Sequence, residues 1–287
     1  MRQSRHHPER KSIDGEMKMN HSQKQISVAV AGANGKMGRE AVAALSSSPQ
    51  FKLSAVLVRS RGQASETPYP VYDDASQLLM EQRPDVWLDF TDADSVVDNI
   101  DRCIAFGVRP VVGATGYTLE DVERWNKQCL ANEIGGIAAP NFAIGALLMM
   151  RFAAEAARFY EKAEIVEYHH DGKKDAPSGT AKRTAEQMAK QRQDAASEPS
   201  WQPSQGQAPE QPSTPARGLL YGEVPIHSVR LPGLVAHQEV IFGGTGEVLT
   251  IRHDSLSRAS FMPGVVLACS KVMEIQGMVY GLEHLLW

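Results

Sequence analysis

The chain has 287 residues, of which 42% are hydrophobic and 22% are charged, and its formal net charge is -4 at pH 7. This length is enough for two domains with a large buried core, and the composition is that of an ordinary globular protein. The mildly acidic balance, without a basic stripe, argues against a nucleic-acid surface. No run in the sequence reaches the roughly 18 apolar residues that a membrane-spanning helix needs.

The first 25 residues are polar and contain no hydrophobic core of a signal peptide, so we predict that residues 1–25 form a disordered extension. The three cysteines, Cys103, Cys129 and Cys269, are far apart in sequence and form no metal-binding pair. We interpret them as buried thiols in a reducing compartment, which predicts a cytoplasmic protein.

The first informative pattern is a strand, a glycine-rich turn and a helix. Residues 25–31 are typical of a buried strand, Gly32-Ala-Asn-Gly-Lys-Met-Gly38 forms the turn, and residues 39–45 predict the helix. A dinucleotide-binding fingerprint requires this context, although the spacing G-x-x-G-x-x-G is not the usual one and a plain tight turn is the alternative. The residues predicted to bind a cofactor here are Gly32, Asn34, Gly35, Lys36 and Met37.

The end of the second predicted strand, residues 51–58, bears on the choice of nucleotide. An NAD site commonly has an Asp or Glu here that binds the ribose hydroxyl, whereas this chain has Val58 and Arg59. A guanidinium pairs well with a 2′-phosphate, and Lys36 adds a second cation nearby. NADPH is therefore favoured over NADH as the cofactor, with a merely solvated Arg59 as the alternative.

Strands and helices continue to alternate as far as about residue 139, which predicts a parallel, doubly wound sheet whose ligands bind at the carboxyl ends of its strands. Thr118 and Asp121 have the spacing of a capping box at the start of one of these helices. Glycine-rich or polar turns follow the strands at 110–116 and 136–139, and we expect them to frame the nicotinamide half, although either alone could be a simple loop. These turns contain the predicted cofactor residues Gly113, Ala114, Thr115, Ala139, Pro140, Asn141 and Phe142.

The second half of the chain predicts an α+β domain. After a long helix from residue 144, the segments 226–231, 233–242 and 247–254 are typical of consecutive strands, which favours an antiparallel or mixed sheet with one face open to self-association. Residues 191–217 are rich in Gln, Pro and Ser and predict a flexible surface insertion.

The resulting division of the chain has three parts besides the extension. We predict a dinucleotide-binding domain at 26–140, a substrate-binding and oligomerisation domain at 141–260, and a C-terminal segment at 261–287 that returns to the first domain. The last segment is an apolar helix and tail that could pack against the first sheet.

The stretch Glu167-Tyr-His-His-Asp-Gly-Lys-Lys-Asp-Ala-Pro-Ser-Gly-Thr180 concentrates proton-carrying side chains between a predicted strand and a predicted helix. The strand places Ile165, Glu167 and His169 on one face. The helix begins close to Ser178, and its free amides and dipole favour an anion. A metal site is the less favoured alternative, because the two histidines have no third ligand at usable spacing.

These motifs together resemble the 4-hydroxy-tetrahydrodipicolinate reductase family, also called dihydrodipicolinate reductase. The resemblance spans about residues 26–287 and is most specific in the run at 169–180. It also includes Gly113-Ala-Thr-Gly116, Ala139-Pro-Asn-Phe142, and Val229-Arg-x-x-Gly233 followed by His237. The 191–217 segment is not part of the family pattern.

The resemblance implies a Rossmann-type domain joined to an α+β domain whose sheet builds a homotetramer. It implies NAD(P)H-dependent reduction of 4-hydroxy-tetrahydrodipicolinate, a small dicarboxylate, to tetrahydrodipicolinate with loss of water, in lysine and diaminopimelate biosynthesis. His169 would be the general acid/base and Lys173 the proton donor. The substrate would be held by His170, Ser178, Gly179 and Thr180.

Two other functions remain open from the residues alone. Another two-domain NAD(P)H dehydrogenase, acting on an amino-acid-derived carboxylate, would explain the first domain but not the run at 169–180. A non-catalytic nucleotide sensor would bind the cofactor without turnover and would not depend on His169 or Lys173.

Overall fold

The computed structural model describes residues 24–60, 62, 67–196 and 215–287, and these residues form two β-sheets with their flanking helices. Apart from Lys24 and Gln25, the predicted N-terminal extension lies outside the described residues, as does the 197–214 part of the predicted insertion. Within the described ranges, every helix is too short or too polar to span a lipid bilayer.

The first half of the chain alternates strands and helices, as the sequence predicts. In chain order these elements are β1 (Ile26–Ala31), α1 (Lys36–Ser47), β2 (Phe51–Leu57), β3 (Val71–Tyr72), α2 (Ala75–Gln82), β4 (Val86–Asp89), α3 (Val96–Ala105), β5 (Arg109–Val112), α4 (Leu119–Ala131) and β6 (Gly135–Ala138). The predicted capping box is confirmed at α4, where Thr118 and Asp121 each accept a hydrogen bond from the other's backbone amide. The helix α1 begins at Lys36 rather than Arg39, so the end of the glycine turn is already helical.

The second half contains the remaining helices and strands. In chain order these are α5 (Ile144–Ala157), β7 (Lys162–His169), α6 (Gly179–Ala196), β8 (Leu219–Tyr221), β9 (Val224–Arg230), β10 (Ala236–Gly244), β11 (Glu247–Ser255), α7 (Met262–Lys271) and β12 (Gly277–Tyr280).

The predicted insertion at 191–217 is wrong at both ends. The helix α6 continues to Ala196, and a 3-10 turn covers Pro215–Arg217. The extra helical residues are good helix formers, and tertiary contacts hold them in place. Arg192 Nη2 donates a hydrogen bond to the carbonyl of Tyr160 at 3.1 Å, and Ala195 is buried. Composition alone did not reveal these contacts.

The first sheet has the order β12-β6-β5-β4-β1-β2-β3, and all its neighbouring strands run parallel. From β1 the chain builds first toward β2 and then toward β4 on the other side. The glycine turn after β1 therefore lies at the topological switch point, where open α/β sheets bind their ligands. The edge strand β12, which the sequence did not predict, pairs with β6 and brings the C-terminal segment into this sheet.

Apolar layers cover both faces of the first sheet. Along β1, Val28 and Val30 face one layer, whereas Ala29 faces the other layer together with Trp87. A third core lies beneath the second sheet and includes Phe242. The alternation of side chains along each strand produces these separate cores.

The second sheet has the order β11-β10-β7-β9-β8. The strand β10 is antiparallel to both β7 and β11, while β9 is parallel to β7, so the sheet is mixed, as predicted. At the end of β7, His169 is in register with Ala236 on one side and Arg230 on the other. The predicted fold class, a doubly wound parallel sheet with a second α+β domain, is confirmed.

Candidate active site

A cavity of about 160 Å³ lies between the turn after β6 and the end of β7. The turn after β6 contributes Pro140 and Asn141 to its wall, and the end of β7 and the start of α6 contribute His169, Ser178 and Thr180. The tertiary structure therefore brings residues predicted to bind a cofactor next to residues predicted to bind and protonate a substrate.

The glycine turn after β1 has the shape that a dinucleotide requires. Gly32 has φ +75°, and a Cβ atom on it would lie 2.5 Å from the carbonyl oxygen of Phe90. A Cβ atom on Gly38 would lie 2.2 Å from the carbonyl oxygen of Gly32, so α1 packs directly against the turn. No side chain caps α1 at Gly35. The first amides of this helix are thus suited to a diphosphate, and the residues present fit the cofactor.

Of the two cations predicted to lie near the ribose, Arg59 follows β2 beside this turn. Gly32 N donates to the carbonyl of Leu57 at 3.0 Å, which ties the turn to the end of β2 just before Arg59. The guanidinium of Arg59 is largely exposed and forms an ion pair with Asp92. Hydrogen bonds from Ser95 and then from Arg59 lower the pKa of Asp92. Arg59 therefore has a carboxylate partner that a 2′-phosphate would have to displace.

The turns after β5 and β6 lie side by side. Gly113 N donates to the carbonyl of Asp89 at 2.8 Å, and the rings of Phe90 and Phe142 meet edge to face with centroids 5.9 Å apart. A Cβ atom on Gly113 would lie 2.2 Å from the Phe90 ring, so only glycine fits beside this pair. Among the predicted cofactor residues of these turns, Ala114, Ala139 and Phe142 are buried, whereas Thr115 and Pro140 are exposed.

The start of α6 borders the cavity as the sequence predicts. Ser178 Oγ accepts a hydrogen bond from Ala181 N at 3.2 Å and caps the first turn of the helix. Gly179 is exposed, and a Cβ atom on it would meet nothing within 4 Å. The free amides of this turn and the helix dipole favour an anion nearby.

Three predicted catalytic or substrate-binding residues do not line the cavity, namely the proton donor Lys173 and the substrate-binding residues His170 and Gly179. Lys173 Nζ forms an ion pair with Asp175 Oδ1 at 2.7 Å. His170 is exposed, and its carbonyl accepts a hydrogen bond from Lys173 N at 3.1 Å. Lys173 and His170 belong to the loop that joins β7 to α6.

Sequence reasoning missed the most buried charged group at this site, Glu167, which has no exposed surface. Its Oε2 lies 2.5 Å from His169 Nδ1 and accepts a hydrogen bond from Arg230 Nη1 at 2.9 Å. Its Oε1 accepts from Arg230 Nη2 at 2.7 Å and from Ser178 N at 3.2 Å. The signal was present in the strand pattern, because Glu167 shares a face with the apolar Ile165, and a carboxylate on a buried face needs partners.

Glu167 is ionised at neutral pH. Burial on its own raises the pKa of this carboxyl group, but hydrogen bonds from His169, Arg230 and Ser228 lower it further than burial raises it, to about 2. Because an ionised carboxylate only accepts hydrogen bonds, the Nδ1 of His169 is the donor in this pair.

Two further histidines border the cavity from β10 and β11. His237 Nδ1 lies 2.7 Å from Asp254 Oδ1. Burial lowers the pKa of His253 despite the nearby Asp254. Sequence reasoning noted His237 but assigned it no role, and it missed His253. Among the described residues, no three His, Cys, Asp or Glu side chains are grouped so that they could hold a metal ion.

The fold and this cavity define a class of protein, the two-domain nicotinamide-nucleotide-dependent oxidoreductases. Family models named "Dihydrodipicolinate reductase, N-terminus" and "Dihydrodipicolinate reductase, C-terminus" match residues 26–142 and 145–286. The chain belongs to the dihydrodipicolinate reductase family, so the resemblance stated from the sequence is confirmed. It is an NAD(P)H-dependent oxidoreductase of lysine and diaminopimelate biosynthesis.

Individual relatives agree with this assignment. The 4-hydroxy-tetrahydrodipicolinate reductase of Geobacillus kaustophilus is 50% identical, with 91% of this chain and 99% of the relative covered. That of Lactococcus lactis subsp. cremoris is 47% identical, with 91% and 98% covered. A solved structure of dipicolinate-bound dihydrodipicolinate reductase from Paenisporosarcina sp. TG-14 is 44% identical, with a TM-score of 0.77 and 91% and 99% of the two chains covered. An amine dehydrogenase from Mycobacterium smegmatis, 13% identical with a TM-score of 0.59 and 90% and 96% covered, shares the fold alone.

Glu167 predicts a specific pH dependence of folding stability. The pKa of this group is about 2 in the folded chain against an ordinary 4.5. A pKa that is lower in the folded than in the unfolded chain stabilises the folded state. This stabilisation is fully present above the unfolded-state pKa and is lost as the pH falls through the folded-state pKa. At about 1.4 kcal/mol per pKa unit, roughly 3 kcal/mol should disappear between about pH 4.5 and about pH 2.

This loss can be measured as the free energy of unfolding in urea at several pH values, for the native chain and for Glu167→Gln. We expect the native chain to show the steeper decline across this window. Glu164→Gln, a change in a more exposed carboxylate of the same strand, is the matched control and should retain the native slope. Equal slopes in the native chain and Glu167→Gln would contradict the assignment.

Proposed function

We propose that this chain reduces 4-hydroxy-tetrahydrodipicolinate to tetrahydrodipicolinate with loss of water, using the cavity between the two domains. The observation that carries the proposal is that His169, Ser178 and Thr180 share this cavity with Pro140 and Asn141. The bound dipicolinate of the Paenisporosarcina relative supports a small cyclic dicarboxylate as the ligand.

The cofactor would lie along the carboxyl edge of the first sheet. The uncapped start of α1 at Gly35 would bind its diphosphate, and the turns that contain Gly113 and Asn141 would flank its nicotinamide. When bound, the nicotinamide nucleotide supplies the hydride. The rings of Phe90 and Phe142 pack against each other on the side of these turns that faces the protein.

The protein side of the reaction consists of binding an anion and delivering a proton. The amides at the start of α6, with Ser178, Gly179 and Thr180, would hold one substrate carboxylate. His169 lines the cavity, and an imidazole can both donate and accept a proton, so His169 is the proposed general acid/base.

Lys173 is the proposed proton donor, and His170 the proposed partner of the substrate at the solvent side. The ammonium of Lys173 is bound to Asp175, so a substrate carboxylate would exchange places with that residue. Lys173 would then have an anionic partner both before and after the substrate binds.

The activity is tested by a coupled assay in which a synthase makes the substrate from pyruvate and aspartate semialdehyde, while NADPH consumption is followed. We expect oxidation of NADPH that depends on the synthase. In the same assay, His169→Ala and Lys173→Ala should each lower kcat by about 10²-fold or more, because each removes a proton-transfer group.

Neither substitution should change the affinity for NADPH, measured by fluorescence titration, because neither residue belongs to the first domain. Lys174→Ala is the matched control for Lys173, since Lys174 is an exposed neighbour, and it should remain fully active. Oxidation that does not need the synthase, or equal losses for all three variants, would contradict the proposal.

For the cofactor, we propose a preference for NADPH set by Arg59 and Lys36. Arg59→Ala should weaken NADPH binding by about 10-fold, the scale of one charge-assisted hydrogen bond to a phosphate, and leave NADH binding nearly unchanged. Asp92→Asn is the contrasting variant, because it removes the competing partner of Arg59 and should not weaken NADPH binding. Equal losses for both nucleotides in Arg59→Ala would contradict a role at the 2′-phosphate.

We further propose that the chain forms a cytoplasmic homotetramer through the second sheet. The face opposite α5 and α6 carries Val166, Ile241 and Val248, and Val248 is 69% exposed. The cysteine thiols are free and buried, which fits a reducing compartment. Sedimentation velocity should show a tetramer that Val248→Asp shifts toward smaller species, whereas a native monomer would contradict it.

A further inference from the structure

The two oxygens of the Glu167 carboxylate contact different parts of the site. Oε2 accepts from His169 Nδ1, the imidazole that lines the cavity, whereas Oε1 accepts from the backbone amide of Ser178, at the turn proposed to hold a substrate carboxylate. We propose that Glu167 is a positioning residue that fixes the tautomer of His169 and its position relative to the Ser178 turn. This inference rests on the proposed function of that same site.

The tautomer follows from the geometry. An ionised carboxylate can only accept, so His169 must carry a proton on Nδ1 in both its neutral and its charged form. The proton that is gained and lost is then the one on Nε2, the nitrogen that does not face Glu167. A fixed tautomer leaves this nitrogen available for exchange with a ligand in the cavity.

Arg230 allows a carboxylate to remain ionised in this buried place. Its two terminal nitrogens bind both oxygens of Glu167, at 2.9 and 2.7 Å, in a bidentate arrangement. The Nη2 atom also donates to the carbonyl of Asp175 at 2.8 Å, and the side chain of Asp175 binds Lys173. One hydrogen-bonded network therefore reaches both of the proposed proton carriers.

A purely structural ion pair is the competing explanation for these contacts. Buried ion pairs are often no more stabilising than apolar replacements, although removing one partner is costly. A structural role predicts that substitution of Glu167 lowers stability without a specific effect on turnover. A positioning role predicts that the effect on turnover depends on His169.

The informative substitution is Glu167→Gln, which keeps the shape of the side chain. A glutamine has one acceptor oxygen, so it cannot accept from both His169 and Ser178 while Arg230 donates to it as well. If its amide nitrogen faces His169, the imidazole must take the other tautomer. We expect kcat in the coupled assay to fall by about 10²-fold, in the range of general acid/base contributions, with unchanged NADPH affinity.

The matched control is Glu164→Gln on the same strand. Glu164 also binds a histidine and an arginine, with Oε2 2.8 Å from His227 Nε2 and Oε1 paired with Arg217, but it does not line the cavity. This variant loses a similar set of contacts at the other end of β7. We expect its kcat to remain within about twofold of the native value, as for a surface ion pair.

A double-mutant cycle separates the two roles of the carboxylate. In a His169→Ala background, Glu167→Gln should lower kcat no further, because its effect on turnover acts through the imidazole. It should still raise the KM for the substrate, because the contact with Ser178 is lost in either background. Independent, multiplicative losses in kcat would overturn the proposal.

Nitrogen-15 NMR of the native chain with labelled histidine gives a test that needs neither a Glu167 variant nor activity. The His169 signal, assigned by its loss in His169→Ala, should show a protonated Nδ1 and a free Nε2 in the neutral state. The opposite tautomer would overturn the positioning role even if the chain is an active reductase. An inactive native chain with the expected tautomer would instead reject the proposed function and leave the geometry intact.

Discussion

The buried charge of Glu167 ties three elements of the second domain together. A carboxylate without exposed surface remains ionised only if its surroundings supply enough donors. Arg230 on β9, His169 at the end of β7 and the amide of Ser178 before α6 supply them. Because these donors belong to three separate elements, satisfying one carboxylate fixes the strand end and the helix start relative to each other. The proposed anion site and the proposed proton carrier obtain their spacing from this constraint.

The geometry of a parallel sheet positions the ligand-binding turns of the first domain. Its ligand-binding turns gather at the carboxyl ends of the strands, and the glycine turn lies at the switch point between β1 and β4. The turn after β6 leads directly into α5, which packs under the second sheet. A single connection thus places the proposed nicotinamide end of the first domain opposite His169. The C-terminal strand β12 then extends the first sheet, so the chain crosses between the domains twice.

Local patterns were sufficient for much of this structure. The glycine turn, the capping box at Thr118 and the helix start near Ser178 could each be predicted because a few adjacent residues determine them. The predicted bounds of the insertion were wrong, because Arg192 is held by a carbonyl group that is distant in sequence. The strand β12 was missed for a similar reason. Its partner β6 lies more than a hundred residues earlier in the chain, and its short sequence has no strong alternation of its own.

The sequence by itself determined the class of fold, the family, and the residue types that could move protons or hold an anion, because these depend on short motifs and on periodicity. Only the tertiary structure decided which of these groups meet. It brought His169 and Thr180 to one cavity with Asn141, and it paired Lys173 with Asp175. It also showed that Glu167 joins His169 to Arg230. Long-range pairing of strands decides the contact between Glu167 and Arg230 and the meeting of His169 with Asn141. No local pattern in the chain records which strands will become neighbours.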